Sequence, residues 1–138
     1  MKAALRQILL EDDAVQRLTE GRVYSNVAPQ QTRQPRVSMQ VLNTEPMHVT
    51  TGRSDPSAKT VEILVLAEKE VDCTELAERI IAILDRIARK TGVRTEQGVI
   101  IHDIFLDNDV DGFDHYGASE QGLYRRNLDF QVWFEKES

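Results

Sequence analysis

The helix that decides the fold is predicted from residues 72–92, DCTELAERIIAILDRIARKTG. Asp72 and Glu75 have the spacing of a capping box, with Asp in place of the usual Ser or Thr, and Thr91-Gly92 ends the pattern. Between these ends the apolar residues form one broad helical stripe: Leu76, Ala77, Ile80, Ile81, Ile83, Leu84, Ile87 and Ala88. Since such a stripe must be buried against another layer, the pattern predicts an amphipathic helix in the core.

Segments with a period of two lie on both sides of this helix. Before it, Arg36–Val41 is apolar on one face, and Lys59–Ala67 is apolar on both, as a covered central strand is. After it, Val99–Leu106 is apolar on both faces, and Tyr124–Phe134 alternates apolar with polar residues. The sequence therefore predicts two strands before the long helix and two after it.

Short elements are predicted at the N-terminus. After a first helix, Asp12 or Asp13 is expected to cap a second one, which Gly21 ends. Arg22–Ser25 is a candidate for a short fifth strand. We therefore expect one α+β domain over residues 1–138, with short N-terminal helices and a largely antiparallel sheet of four to five strands, on one face of which the long helix packs.

Composition narrows the classes of function. The chain has 138 residues, 41% of them apolar and 29% charged, which is typical of one globular domain. The single cysteine, Cys73, excludes an intramolecular disulfide and a cysteine-based zinc site. A net charge of −6 disfavours tight binding of duplex DNA. Neither a signal peptide nor a membrane span is expected from the pattern of apolar residues.

Three connections are long for so small a domain: Asn26–Pro35, Thr44–Ala58 and Asp107–Gly122. Connections of this length tend to be functional or disordered. They are not uniformly polar, since they contain Met47, Phe113 and Tyr116. The functional interpretation is that they contact a neighbouring subunit, and the alternative is that they are plain surface loops.

The most conspicuous local motif is acidic. Asp107, Asp109 and Asp111, followed by Gly112, match positions 1, 3, 5 and 6 of a calcium-binding EF-hand loop. The glutamate required at position 12 is replaced by Ala118, and the preceding segment is a predicted strand where an EF-hand has a helix. A calcium-dependent protein-interaction module is therefore the alternative function, and an acidic turn in solvent is the simpler interpretation.

An enzyme has little support in the sequence. His102 and Asp103 are neighbours on a strand, where successive side chains point to opposite faces. The glycines are dispersed and form no phosphate-binding loop, and no nucleophile has a recognisable setting. We therefore expect a protein that is not an enzyme and has no catalytic residue and no cofactor.

Two runs of the sequence resemble a known family. Gly21–Tyr24, followed by Val27–Gln30, is similar to the opening of the tail-completion proteins, or tail terminators, of long-tailed bacteriophages, prophages and gene transfer agents. Gly122–Phe134 resembles the closing strand of that family. The order of elements also agrees, so the resemblance spans nearly the whole chain, apart from Thr44–Ala58 and the Asp-rich turn.

The resemblance implies a structural virion protein. Its copies would form a ring, expected to be hexameric, that caps the tail tube and joins it to the head connector. The implied partners are further copies of the chain, the tail tube protein and the head–tail connector or stopper protein, with DNA passing through the ring without specific binding and no contact with a membrane. The implied location is the virion tail or neck, after assembly in the cytoplasm of the bacterial host.

Candidate intersubunit contacts come from the last strand and the long connections. Arg125, Asp129 and Trp133 share the polar face of the strand. Arg126 shares the apolar side, where it would need a buried partner. For Arg125, an ion pair within the chain is the alternative to an intersubunit contact. The full set of candidates for contact between subunits is Arg125, Asp129, Trp133, Met47, Phe113 and Tyr116.

Calcium titration separates the alternative function from the main one. We expect no heat of binding and no change in melting temperature, because half of the EF-hand ligand set is absent. Isothermal calorimetry and thermal unfolding with and without calcium check this. Saturable heat together with a raised melting temperature would support the calcium-dependent module instead.

Overall fold

The structure, a computed structural model, describes residues 2–25, 35–42, 57–90, 92–95, 97–115 and 122–136. It has three described helices, α1 (Lys2–Leu10), α2 (Asp13–Thr19) and α3 (Glu70–Arg89). The described strands are β1 (Val23–Tyr24), β2 (Arg36–Leu42), β3 (Ser57–Ala67), β4 (Val93–Arg94), β5 (Val99–His115) and β6 (Gly122–Lys136). Met47 and Tyr116 lie outside the described residues.

The strands form one six-stranded sheet in the order β1-β2-β3-β6-β5-β4. Every neighbouring pair is antiparallel except β1 and β2, which are parallel. The α+β class and the largely antiparallel sheet are confirmed, but the expected number of strands was slightly too low. The candidate fifth strand is present as β1, and the additional strand is β4, which has two residues and is too short to show an alternating pattern in the sequence.

The largest difference from the sequence-based expectation concerns residues 107–122. They were predicted to form a long connection, yet β5 continues for 17 residues to His115, and β6 begins at Gly122. Two irregularities in register, between Ile101 and Asp103 and between Leu106 and Asn108, let β5 stay paired with β6 along this length. Pairing with β6 therefore overrides a local composition that is typical of a turn.

The hydrophobic core lies between the helices and one face of the sheet. Leu76, Ile80 and Leu84 of α3 are at most 1% exposed, and the helix contacts β3, β5 and β6. Burial of each such side chain contributes about 1.5–3 kcal/mol. The sheet supplies the opposite side of the core from alternate positions: Val37, Met39, Val61, Ile63, Val65, Leu128, Phe130, Val132 and Phe134. The predicted core helix and the predicted central position of β3 are both confirmed.

Of two predicted helix ends, one differs from the structure and one agrees with it. The helix α3 begins at Glu70, two residues before the predicted cap, and its N-cap, Lys69, makes no side-chain capping bond. Asp72 therefore lies within the first turn, where its negative charge interacts favourably with the helix dipole. The end of α2 is as predicted, because Glu20 (φ 53°) is the C-cap and Gly21 (φ 85°) follows it in the left-handed conformation.

Asp12 joins two helices. Its Oδ1 accepts hydrogen bonds from the backbone N–H groups of Ala14 and Val15, so it is the N-cap of α2, which confirms one of the two predicted caps. Its carboxylate also accepts hydrogen bonds from Arg79 of α3, with Nη2 2.6 Å from Oδ2. The Arg79 hydrogen bonds hold the pKa of the Asp12 carboxyl below its usual value.

None of the described helices is long and apolar enough to cross a membrane.

Replacing Asp12 separates its two roles. Asp12→Ala is expected to lower the free energy of unfolding by about 1–2 kcal/mol, because the cap is lost. Asp12→Asn keeps an oxygen that can accept the capping bonds, so its loss should be smaller and should reflect mainly the Arg79 pair. Urea unfolding of both variants beside the wild type measures the difference, and equal losses would contradict the capping role.

The same variants predict a pH dependence. A depressed pKa in the folded state gives stability that is present above the unfolded pKa and is lost as the pH falls through the folded pKa. The difference in stability between wild type and Asp12→Asn should therefore be constant near neutral pH and should shrink below about pH 4, the region of the ordinary Asp value. A difference that stays constant down to strongly acid pH would show that the Asp12 charge adds nothing.

Candidate assembly surface

No described helix packs on the second face of the sheet, which we call the outer face. Arg125, Asp129 and Trp133 of β6 all lie on this face and are half-buried. The alternation predicted for the last strand is confirmed, because Leu128 and Phe130 point to the core instead. The three polar-face candidates thus share one surface of the domain.

Each of the three has a distinct setting on the outer face. Arg125 is paired across the strands with Gly112, and its Nη2 passes so close that a Cβ on that glycine would lie 2.7 Å away. A side chain at position 112 would therefore displace the Arg125 guanidinium. Asp129 lies opposite Glu62 of β3, and its Oδ1 is buried with no hydrogen-bond partner among the described residues. Like charges in register on neighbouring strands are unfavourable.

The candidates do not form one compact cluster. Arg125 and Trp133 are eight positions apart on an extended strand, which corresponds to about 27 Å. Phe113 lies at the Arg125 end, where its ring is 4.8 Å from that of Tyr124. Both Phe113 and Arg125 line a cleft of about 270 Å³ between the start of α3 and the β5–β6 hairpin. The structure brings these two together and leaves Asp129 and Trp133 further along β6.

Sequence analysis missed three exposed apolar residues on β5. Phe105 is 50% exposed, Leu106 41% and Val110 48%. Phe105 and Val110 point to the outer face, since they pair with Gln131 and Asn127 of β6. The signal in the sequence was a strand with apolar residues on both faces, which indicates cover on both sides, although the described residues cover only one.

Arg126 is held on the helix side of β6 by two acidic partners. Its Nε lies 2.5 Å from Asp109 Oδ1, and its Nη2 lies 2.7 Å from Asp109 Oδ2 and 3.0 Å from Glu78 Oε1 of α3. The Arg126 side chain is only 15% exposed. The expectation that Arg126 needs a partner on this side is therefore confirmed, and the cluster ties the hairpin to α3.

The ion pair shifts the protonation of its members. The Arg126 hydrogen bonds hold the pKa of the Asp109 carboxyl below its usual value. Hydrogen bonding to Asp109 likewise raises the pKa of Arg126 above its already high ordinary value. Both groups are therefore charged over the whole physiological pH range.

The Asp-rich motif does not form a loop around an ion. Asp107, Asp109 and Asp111 lie within the extended strand β5, and the carboxylate of Asp109 is engaged by Arg126. Within the described part of the chain, no three His, Cys, Asp or Glu side chains converge on a position that could hold a metal ion. The three aspartates thus have the spacing of an EF-hand loop but not its geometry.

His102 lies at the first irregularity of β5, where strict alternation of faces fails. Its Nε2 is 3.4 Å from Glu135 Oε1, which is close enough for an ion pair if the imidazole is protonated. The described residues around it do not include a nucleophile or a converging acid–base pair. The contact is consistent with a structural histidine between β5 and β6.

Removal of Arg126 tests the cluster. Arg126→Gln is expected to lower the free energy of unfolding by about 1–3 kcal/mol, because the partly buried Asp109 side chain loses its cation. The control is Arg89→Gln, which removes an exposed ion pair with Asp85 on α3. This substitution should lower the free energy of unfolding by at most about 0.5 kcal/mol. Chemical unfolding of both variants measures this, and equal effects would show that the Arg126 pair is no stronger than a surface pair.

Comparison with known proteins agrees with the fold. A chain in the virion of a native gene transfer agent particle has the same fold, with a TM-score of 0.72 at 17% sequence identity, over 98% of this chain and 94% of that chain. No curated protein sequence matches this chain significantly. The sequence model of the family described as tail completion protein gp17 matches residues 3–135. The chain therefore belongs to the tail completion protein gp17 family and is a structural protein of a phage-type tail.

Proposed function

We propose that this chain is a ring-forming subunit that caps the completed tail tube and joins it to the head connector. The observation that carries the proposal is the family match over residues 3–135. In such a ring, six copies related by rotation make head-to-tail contacts, for which each copy uses two different patches. The tail tube protein lies on one side of the ring, and the connector or stopper protein lies on the other.

The charge of the chain suits a passage for DNA. With a net charge of −6, six copies line or surround the channel with an excess of acidic groups, which repel phosphates. The genome then passes the ring without being gripped, since tight binding requires clustered Lys and Arg. No catalytic step and no cofactor enter this function. The ring belongs in the tail or neck of the particle, after assembly in the host cytoplasm.

The outer face supplies the proposed contacts with neighbours. Trp133 combines a large apolar ring with one hydrogen-bond donor, which is the type of side chain that dominates interface energetics. Arg125 and Asp129 lie on the same face and add charges of both signs. Phe113 pairs with Tyr124 on the helix side of the sheet, and we propose it as a contact beside this face. Met47 and Tyr116, from the long connections, are proposed to reach the neighbouring subunit or the tube.

The calcium-dependent alternative gains no support from the described residues. Its central ligand, Asp109, already accepts two hydrogen bonds from Arg126. Calcium would have to displace that pair and bend an extended strand into a loop. The ring-forming role is therefore the one function that we propose.

The proposal is tested with purified protein and tail tubes. Light scattering should show closed oligomers in solution or on mixing with tubes, and negative-stain images should show density at one end of each tube. Single copies that never localise to a tube end would contradict the proposal.

A matched pair of variants tests the outer face. Trp133→Ala is expected to reduce the fraction of capped tubes about tenfold, as loss of an interface hot spot does. Val71→Ala is the control, because Val71 is 72% exposed on α3, away from the outer face, and capping should be unchanged. Melting temperatures of both variants separate lost contact from lost folding, and normal capping by a folded Trp133→Ala variant would remove this residue from the interface.

A further inference from the structure

One edge of the sheet is open along most of β5. β4 pairs with β5 only at Ile100 and Ile101. Within the described part of the chain, no strand lies beside β5 from Phe105 to Gly112, which we call the β5 edge. Phe105–Asp111 is exposed throughout. The Asp109 side chain is only 28% exposed, yet the whole residue is exposed. Part of the exposed surface of Asp109 therefore belongs to its main chain.

A second open edge lies at the opposite end of the sheet. β1 pairs with β2 only at Val37 and Ser38, so among the described strands none lies beside Met39–Leu42, which we call the β2 edge. Open edges present unpaired N–H and C=O groups and are templates for another strand. In the sheet order, β2 and β5 are three strand spacings apart, about 14 Å, and their open edges face in opposite directions.

The two edges differ in charge. Residues 103–114 contain five aspartates and no Lys, Arg or His. The strand β2 contains one arginine, Arg36, and no acidic residue. Two β5 edges would therefore repel each other, whereas a β5 edge meets no like charge on β2. A β5 edge is thus compatible with a β2 edge and not with a second β5 edge.

We propose that the β5 edge of one copy pairs with the β2 edge of the next copy, so that main-chain hydrogen bonds continue the sheet from subunit to subunit. The partner is a second copy because the two compatible edges belong to the same chain and face in opposite directions. Contacts between two different patches repeat around a ring when the rotation closes. The inference rests on the proposed ring and specifies which surfaces its subunits share.

The side chains beside the edges fit this pairing. Val110, exposed on the outer face of β5, and Leu42, half-buried on the outer face of β2, offer apolar partners across the junction. Cross-strand apolar pairs add to the main-chain bonds. Leu106 lies on the core side of β5, where the neighbouring copy would cover its exposed part.

Cross-linking between copies tests the pairing directly. Cys73 is the single cysteine and is buried, so Cys73→Ala gives a cysteine-free background. In this background, Val110→Cys and Gln40→Cys place one thiol on the outer face beside each edge. With a short bis-maleimide, this double variant should form a ladder of covalent multimers, both in solution and on tail tubes.

The control for cross-linking keeps one thiol and moves the other. Gln40→Cys combined with Val71→Cys has an equally accessible second thiol, but on α3. It should give at most dimers, as should each single-cysteine variant. A ladder in this control, or none in the edge pair on assembled protein, would overturn the proposed pairing.

Charge reversal tests the same contact independently. Asp107→Lys on the β5 edge should weaken self-association about tenfold or more, because it replaces an acidic group by a cation on the strand that would lie beside β2, whose one charged side chain is Arg36. Glu68→Lys changes the net charge equally at an exposed turn between β3 and α3 and should leave association within twofold of wild type. Sedimentation at several salt concentrations measures both, and equal effects of the two reversals would contradict edge pairing.

The outcomes separate this inference from the proposed function. Tube-capping rings without edge cross-links would overturn the edge pairing and leave the capping role intact. Edge cross-links in open filaments that never bind a tube would support the pairing and contradict the capping role. Failure of both assays would overturn both.

Discussion

The pairing of β6 with two long strands is the constraint on which the structure depends. β6 pairs with β3 from Ser57 to Ala67 and with β5 from Val99 to His115, so its register fixes three strands at once. In this register Leu128, Phe130 and Val132 are at most 2% exposed beneath the helices. A slip of one residue would place the polar residues between them in the core instead. The same register therefore defines both the core and the outer face.

The helices leave much of the sheet free for contacts. They pack on one face only among the described elements, so the outer face and the two sheet edges are not used by the described fold itself. A monomeric protein usually protects long edges, whereas a subunit of an assembly can use them. The aspartates of β5 fit both needs, because they discourage pairing between like edges and favour a basic partner. Membership of the tail completion protein gp17 family gives this arrangement its biological setting.

Ion pairs join elements that the hydrophobic core alone would align loosely. Arg126 connects β6 to β5 through Asp109 and to α3 through Glu78, and Asp12 connects the start of α2 to α3 through Arg79. Both carboxylates involved, Asp12 and Asp109, have lowered pKa values because an arginine is hydrogen-bonded to them. Hydrogen-bonded ion pairs of this kind fix the relative orientation of the elements that they join, which apolar contacts do not. The hairpin is therefore anchored at Asp109, within the β5 edge.

The sequence by itself determined the α+β class, the core helix, the alternation of the last strand and the family resemblance, because periodicity and capping are local properties. It also indicated that Arg126 needs a partner. Only the tertiary structure showed that the Asp-rich motif is a strand, that the partner is Asp109, and that the two-residue strand β4 lies at one end of the sheet. These features depend on pairing between residues distant in the chain, where neighbours across the sheet override local composition. A pattern read along one strand does not show which strand lies beside it.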